Sequence, residues 1–202
     1  IESTPNGTPT DIIFRLSDHD AMVTLVAYPP KGAYFGYQSY VFSTESSNYT
    51  SSDPLQVLSP DPARYEIFGS IGNNINNTII QNNYMTPWNG NMIMYITTSN
   101  KDLANDLISQ ATASGINPNS IFIEPIGANV KTGNGRDADD LVNLIRYAIP
   151  QDASAGNAWL NNVTNNVVVY KVSNPNLSVT KYPTNQYTSR IGTTELQLQT
   201  QL

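Results

Sequence analysis

The stretch at residues 33–43 carries aromatic rings on both of its faces, and this constrains the fold more than any other part of the chain. In an extended strand Tyr34, Gly36, Gln38, Tyr40 and Phe42 point one way, and Phe35, Tyr37, Ser39 and Val41 the other. Leaving either face to water would expose large apolar rings. The strand is therefore expected at the centre of a sheet, covered on both sides. The rest of the N-terminal half also reads as β. Residues 11–16 and 21–28 are β-rich runs separated by Ser17-Asp18-His19-Asp20, a spacing that fits a hairpin with a four-residue loop. Residues 64–68 form a short strand closed by Gly69, and residues 72–80 read as a turn leading into a strand.

The C-terminal half changes character and reads β-α-β-α-α-β. An apolar strand at 91–98 precedes a helix at 101–114, with Ser99 or Asn100 as N-cap and Gly115 just past the end. A strand at 121–126 completes a β-α-β unit. Helices at 138–148, stopped by Pro150, and at 153–163 lead to a last strand at 167–172. The expected class is α+β, a mainly antiparallel sheet with helices packed on one face. One globular domain spans residues 11–202 behind a flexible arm at residues 1–10. Residues 44–63 form a long polar loop broken by Pro54, Pro60 and Pro62.

With 202 residues and 39% hydrophobic content the chain can build one sizeable core. It has no cysteine, which excludes disulfides, thiolate metal sites and cysteine nucleophiles. Only 13% of residues are charged and the net charge is −6, with Lys and Arg scattered singly. Nucleic acid is excluded as a partner because its binding rests on clustered cations. No apolar run reaches the length of a membrane span, so no membrane insertion is expected. Asn, Ser and Thr make up roughly three residues in ten and do much of the solvating instead. That balance and a polar opening that reads as a processed terminus fit a secreted, extracellular protein, and sequons at Asn6, Asn48, Asn76, Asn162 and Asn176, no more than chance would give, permit a glycoprotein.

The one dense cluster of chemical groups is Asp18-His19-Asp20, which holds the sole histidine. A carboxylate beside an imidazole can orient it as a general base, or the trio can join a metal site. A solvated hairpin tip explains the same residues. Arg136-Asp137-Ala138-Asp139-Asp140 suggests calcium, but an N-cap and an acidic first helical turn account for the three carboxylates. Tyr34, Tyr37 and Trp88 are candidates to stack on a ligand, with Asn73 offering amide oxygens and Arg146 a cation. The aromatic residues serve equally as core. No Gly-x-Ser-x-Gly elbow, phosphate loop, dinucleotide fingerprint or His-Glu-x-x-His occurs, and no cofactor is implied.

Three blocks stand out in order: Tyr28-Pro29-Pro30 with Ala33-Tyr34-Phe35-Gly36-Tyr37 and Tyr40-Val41-Phe42-Ser43; Gly69-Ser70-Ile71-Gly72-Asn73-Asn74-Ile75-Asn76; and Leu144-Ile145-Arg146-Tyr147-Ala148-Ile149-Pro150. Together they resemble a family of uncharacterised, mostly secreted microbial proteins. The resemblance spans most of residues 28–150 and implies an extracellular setting without a known reaction.

Two functions compete on this sequence. One is a non-catalytic extracellular domain that contacts a glycan, a surface or copies of itself in a homo-oligomer or filament. The other is a hydrolase that uses Asp18-His19-Asp20 as a general-base or metal site, with Arg136 or Arg146 steadying an anionic substrate.

Overall fold

A computed structural model describes residues 13–45, 64–72, 74–84, 88 and 91–184. The expected arm at residues 1–10, most of the loop at 44–63, and Asn73 lie outside these residues. The protein is α+β, and its strands form two four-stranded sheets rather than one.

The first sheet is built on β2 (Gly32–Glu45), with β1 (Asp20–Ala27) preceding it in the chain. One edge of β2 pairs antiparallel with β3 (Arg64–Ser70) and the two-residue β4 (Ile75–Asn76). The other edge pairs with a long strand at residues 140–150, from Gly32↔Pro150 to Ser43↔Asp140. The aromatic strand is thus central, as its two-sided pattern requires. In the second sheet β1 lies between β5 (Met92–Thr98) and a strand at 167–173, antiparallel to both. β5 then pairs in parallel with β6 (Ile121–Pro125).

The two sheets face one another across the main core. Phe35 and Tyr37 of β2 meet Val26 of β1, Ile93 and Tyr95 of β5, and Phe122 of β6. The Tyr37 and Tyr95 rings stack with centroids 4.0 Å apart and planes 6° from parallel. After the eight-residue α1 (Asn77–Tyr84), the longer helix α2 (Lys101–Ala113) covers the far face of the second sheet. Its Leu103, Ala104 and Ala111 pack on Ala21, Val23, Met94 and Ile96. Asn100 caps α2 by accepting from the N–H groups of Asp102 and Leu103, and Gly115 follows at φ +94°, as the C-terminal glycine was expected to.

Three expectations are corrected, two by pairing partners remote in sequence and one by a local cap. Residues 138–148 do not form a helix but most of strand β7 (Asp140–Pro150). Their apolar residues at 141, 142, 144, 145, 148 and 149 fit a helical period, yet the open edge of β2 offers a ten-residue ladder that satisfies the backbone instead. Residues 77–84 are helix α1 and not strand, because Asn76 Oδ1 accepts from the N–H groups of Thr78 and Ile79. No hairpin joins residues 11–16 to β1 within the described residues. Phe14 instead makes an isolated bridge to Leu141 of β7. Further along, α3 (Ala153–Asn161) starts on its N-cap Asp152, and the short α4 (Val163–Asn166) leads into β8 (Val167–Ser173). Trp159 of α3 enters the inter-sheet core and donates its indole N–H to Ala27 O at 2.8 Å.

The carboxylates around residue 139 serve this new pairing. Asp139 accepts from Lys131 N–H at 2.9 Å and from the Thr44 hydroxyl at 2.7 Å. Asp140 lies between two guanidinium groups, with Arg15 Nε at 2.7 Å and Arg64 Nε at 2.6 Å, and accepts the Ser43 hydroxyl at 2.5 Å. Arg64 is 1% exposed and donates three further N–H groups to the carbonyls of Ser43, Arg136 and Ala138. Removing one partner from a buried pair leaves an uncompensated charge. Asp140→Ala is therefore expected to cost about 3–5 kcal/mol, measured by urea unfolding. A loss below about 1 kcal/mol, the range of exposed pairs, would show that the network carries little.

Candidate binding site on the outer face of β2

Gly36 organises the outer face of β2. A Cβ at this position would lie 2.4 Å from the Tyr34 hydroxyl and 2.7 Å from Asn74 Oδ1, so the missing side chain makes the dent in which both groups sit. Asn74 Nδ2 donates to Tyr34 Oη at 2.7 Å and to Gln38 Oε1 at 3.3 Å. Tyr40 Oη donates to the same Gln38 oxygen at 2.9 Å, and Arg146 Nη2 donates to Tyr40 Oη at 3.0 Å. Gln38 Nε2 donates to the Ser70 hydroxyl and to Gly72 O. The result is one connected row, Tyr34, Asn74, Gln38, Tyr40 and Arg146, gathered from β2, β7 and the turn before β4.

Two features of the row leave capacity for a ligand. Asn74 Oδ1 is a buried acceptor with no hydrogen-bond partner among the described residues. Arg146 is exposed, with its guanidinium carbon 5.8 Å from the Tyr40 ring centroid. At the end of the row Tyr40 and Phe42 both meet the ring of Phe68, which takes the left-handed φ of 48°. A non-glycine residue in that region is strained, and such positions concentrate where a side chain must be aimed.

The opposite face of β2 is core. Tyr37, a candidate for ligand contact, is fully buried there, bonded to the hydroxyls of Thr24 at 3.4 Å and Thr97 at 3.2 Å. Burial pushes its hydroxyl pKa up to about 12. Beside it Glu124 of β6 is 1% exposed and reaches across to accept from Ser39 N–H at 2.9 Å. Burial drives this carboxyl up to about 8, against the smaller opposing effect of the Ser39 hydrogen bonds. Gly72 leaves the space that the carboxyl occupies, since a Cβ there would meet Glu124 Oε2 at 2.8 Å. Trp88 is half-buried and stacks on Tyr28 at 4.9 Å.

Asp18, His19 and Asp20 stand at the start of β1, away from this row. Asp18 accepts from the hydroxyls of Ser99 and Thr132 and pairs with Lys181 at 3.0 Å. Asp20 accepts from the N–H and hydroxyl of Ser17 and pairs with Lys171 at 3.3 Å. Burial would raise the Asp20 carboxyl, but the Ser17 bonds, Ser173 and the Lys171 charge outweigh it and bring it to about 2. These contacts tie loops and strands together. His19 donates its backbone N–H to the Ser17 hydroxyl oxygen, while its buried Nδ1 has no partner among the described residues. Among the described residues no three acidic or histidine side chains gather as a metal site.

Of the named candidates, Tyr34 and Arg146 come together, whereas Tyr37 and Trp88 belong to the core. Tyr40 is one of the strand tyrosines that can stack on a ligand, and Asn74 lies in the amide-rich run at 73–78, but nothing local in the sequence marks Gln38. The alternation of Gln38 and Tyr40 with Tyr34 along the strand was visible, but Asn74 and Arg146 reach the row only through pairing. Comparison with protein-family models, curated proteins and solved structures gives no match to this chain.

Glu124 supplies a test of the inter-sheet electrostatics. In the unfolded chain its carboxyl ionises near the ordinary value of 4.5, whereas in the fold it stays protonated up to about 8. Stability therefore falls as pH rises from 4.5 to 8 and then levels. Glu124→Gln removes this contribution, so its Tm should exceed that of the wild type at pH 8 by several degrees more than at pH 4.5. An equal offset at both pH values would mean that Glu124 is ionised in the fold.

Proposed function

We propose that the protein is a non-catalytic extracellular domain that binds neutral glycans on the outer face of β2. The observation that carries the reading is the row Tyr34–Asn74–Gln38–Tyr40–Arg146, with an Asn74 Oδ1 acceptor that has no partner among the described residues and an exposed Arg146. A sugar presents hydroxyls that both donate and accept, and an amide–phenol–guanidinium row answers both. The low charge of the chain suits a neutral polymer and an extracellular setting.

Titration calorimetry with cellohexaose, maltohexaose and chitohexaose tests this. At least one should bind, and Gln38→Ala or Arg146→Ala should weaken it about tenfold, the equivalent of one hydrogen bond. Gly36→Ala is a sharper variant. Its Cβ displaces only the ends of two side chains, so binding should fall while Tm stays within a few degrees of the wild type. Loss of fold with Gly36→Ala, or no response to any of the three sugars, would sink the reading.

Self-association has its own support in β8, an edge strand of the second sheet with exposed Val168, Val169 and Tyr170. Such an edge offers unpaired backbone groups to another strand. Sedimentation velocity should show association that rises with concentration and is reduced by Tyr170→Lys. A monomer at every concentration would end this second reading.

A further inference from the structure

The sides of the two sheets that carry β7 and β8 do not close on each other. Between them lies a cleft of about 650 Å³, within the size range of small-molecule sites. Register fixes which side chains enter it. Thr24↔Val169 and Val26↔Val167 place Val167 and Val169 on the same face of the second sheet as Met22 and Thr24. On the facing sheet Ser39↔Asn143 and Tyr37↔Ile145 turn Asn143 and Ile145 toward them. The floor at Met22, Thr24 and Tyr37 is buried, whereas Val169 at the mouth is 53% exposed.

The walls are apolar apart from a few polar atoms, most of which already have partners. Lys171 Nζ pairs with Asp20 and donates to Asn134 Oδ1 and Arg15 O. The hydroxyls of Tyr37 and Thr24 face one another, and Asn143 Nδ2 donates to Thr97 Oγ1 at 3.4 Å. Asn143 Oδ1 is the exception, a buried acceptor with no partner among the described residues. Leaving such an acceptor unmet costs free energy, which a ligand's O–H recovers once the carboxamide, held by one long bond to Thr97, turns into the cleft.

We infer that this cleft binds a neutral lipophilic molecule carrying one hydrogen-bond donor, of the long-chain alcohol class, with its O–H donated to Asn143 Oδ1. The volume admits an extended alkyl body, and the tied Lys171 leaves no charge for a carboxylate. The cleft shares Phe42 and Phe68 with the end of the outer-face row, but the proposal does not rest on glycan binding.

The probes are 1-decanol and decyl methyl ether, which share an apolar body and differ in the donor. Titration calorimetry on the whole chain should give a dissociation constant for the alcohol about tenfold below that of the ether. Asn143→Leu should abolish this preference while both probes still bind. Val169→Trp, at a position 53% exposed, should block both. No binding of either probe, equal affinity for the two, or binding indifferent to Val169→Trp would overturn the proposal. So would sedimentation showing that Val169→Trp releases a dimer closed over the cleft, because the occupant would then be a second copy of the chain.

Discussion

Asp140 is the residue on which the architecture turns. Its carboxylate meets Arg15 from the segment before β1, Arg64 from β3 and Ser43 from β2, so one buried group joins pieces of chain more than 120 residues apart. The ladder from Gly32↔Pro150 to Ser43↔Asp140 ends at this point, beyond the bulge at Phe42. A charge network at the end of a strand pair fixes register more sharply than apolar packing does, because a one-residue slip would strand a buried guanidinium. With β7 held on β2, the residues of its outer face come to lie beside Tyr40, and those of its inner face look across at β8.

The inter-sheet core is polar where it might have been oily. Tyr37, Thr24, Thr97, Ser39 and Glu124 form a chain of hydroxyls ending at a buried carboxyl, under the stacked Tyr37 and Tyr95 rings. Such a network is costly unless its members find partners, and it specifies one arrangement of the sheets. Glycines make the room. Gly72 yields space to Glu124 on the core side, and Gly36 yields it to Tyr34 and Asn74 on the outer side. Both faces of the central sheet thus depend on an absent Cβ, which composition cannot reveal.

Legibility varied with the range of the interactions. Helix α2 was readable because its cap at Asn100, its apolar stripe and Gly115 lie within fifteen residues of one another. The parallel β5–β6 pair followed from the same unit. Asn76 caps α1 by equally local bonds, but the surrounding Asn run hid which amide did the work. In the candidate site, alternation along the strand places Tyr34, Gln38 and Tyr40 on one face, but only pairing brings Asn74 and Arg146 to them. Asp18 and Asp20 drew notice as a cluster, yet their partners Ser99, Thr132, Lys171 and Lys181 are distant in the chain.

The sequence by itself determined the α+β class, the central place of β2 and the capped helix α2, since alternation and capping act between near neighbours. Only the tertiary structure decided that residues 140–150 are a strand. Their apolar spacing satisfies a helix equally well, and the choice fell to the unpaired edge of β2 and to the charge that Arg15 and Arg64 place opposite Asp140. It also decided the two candidate sites, because a row across β2 and β7 and a cleft between β7 and β8 exist only once that strand is in place.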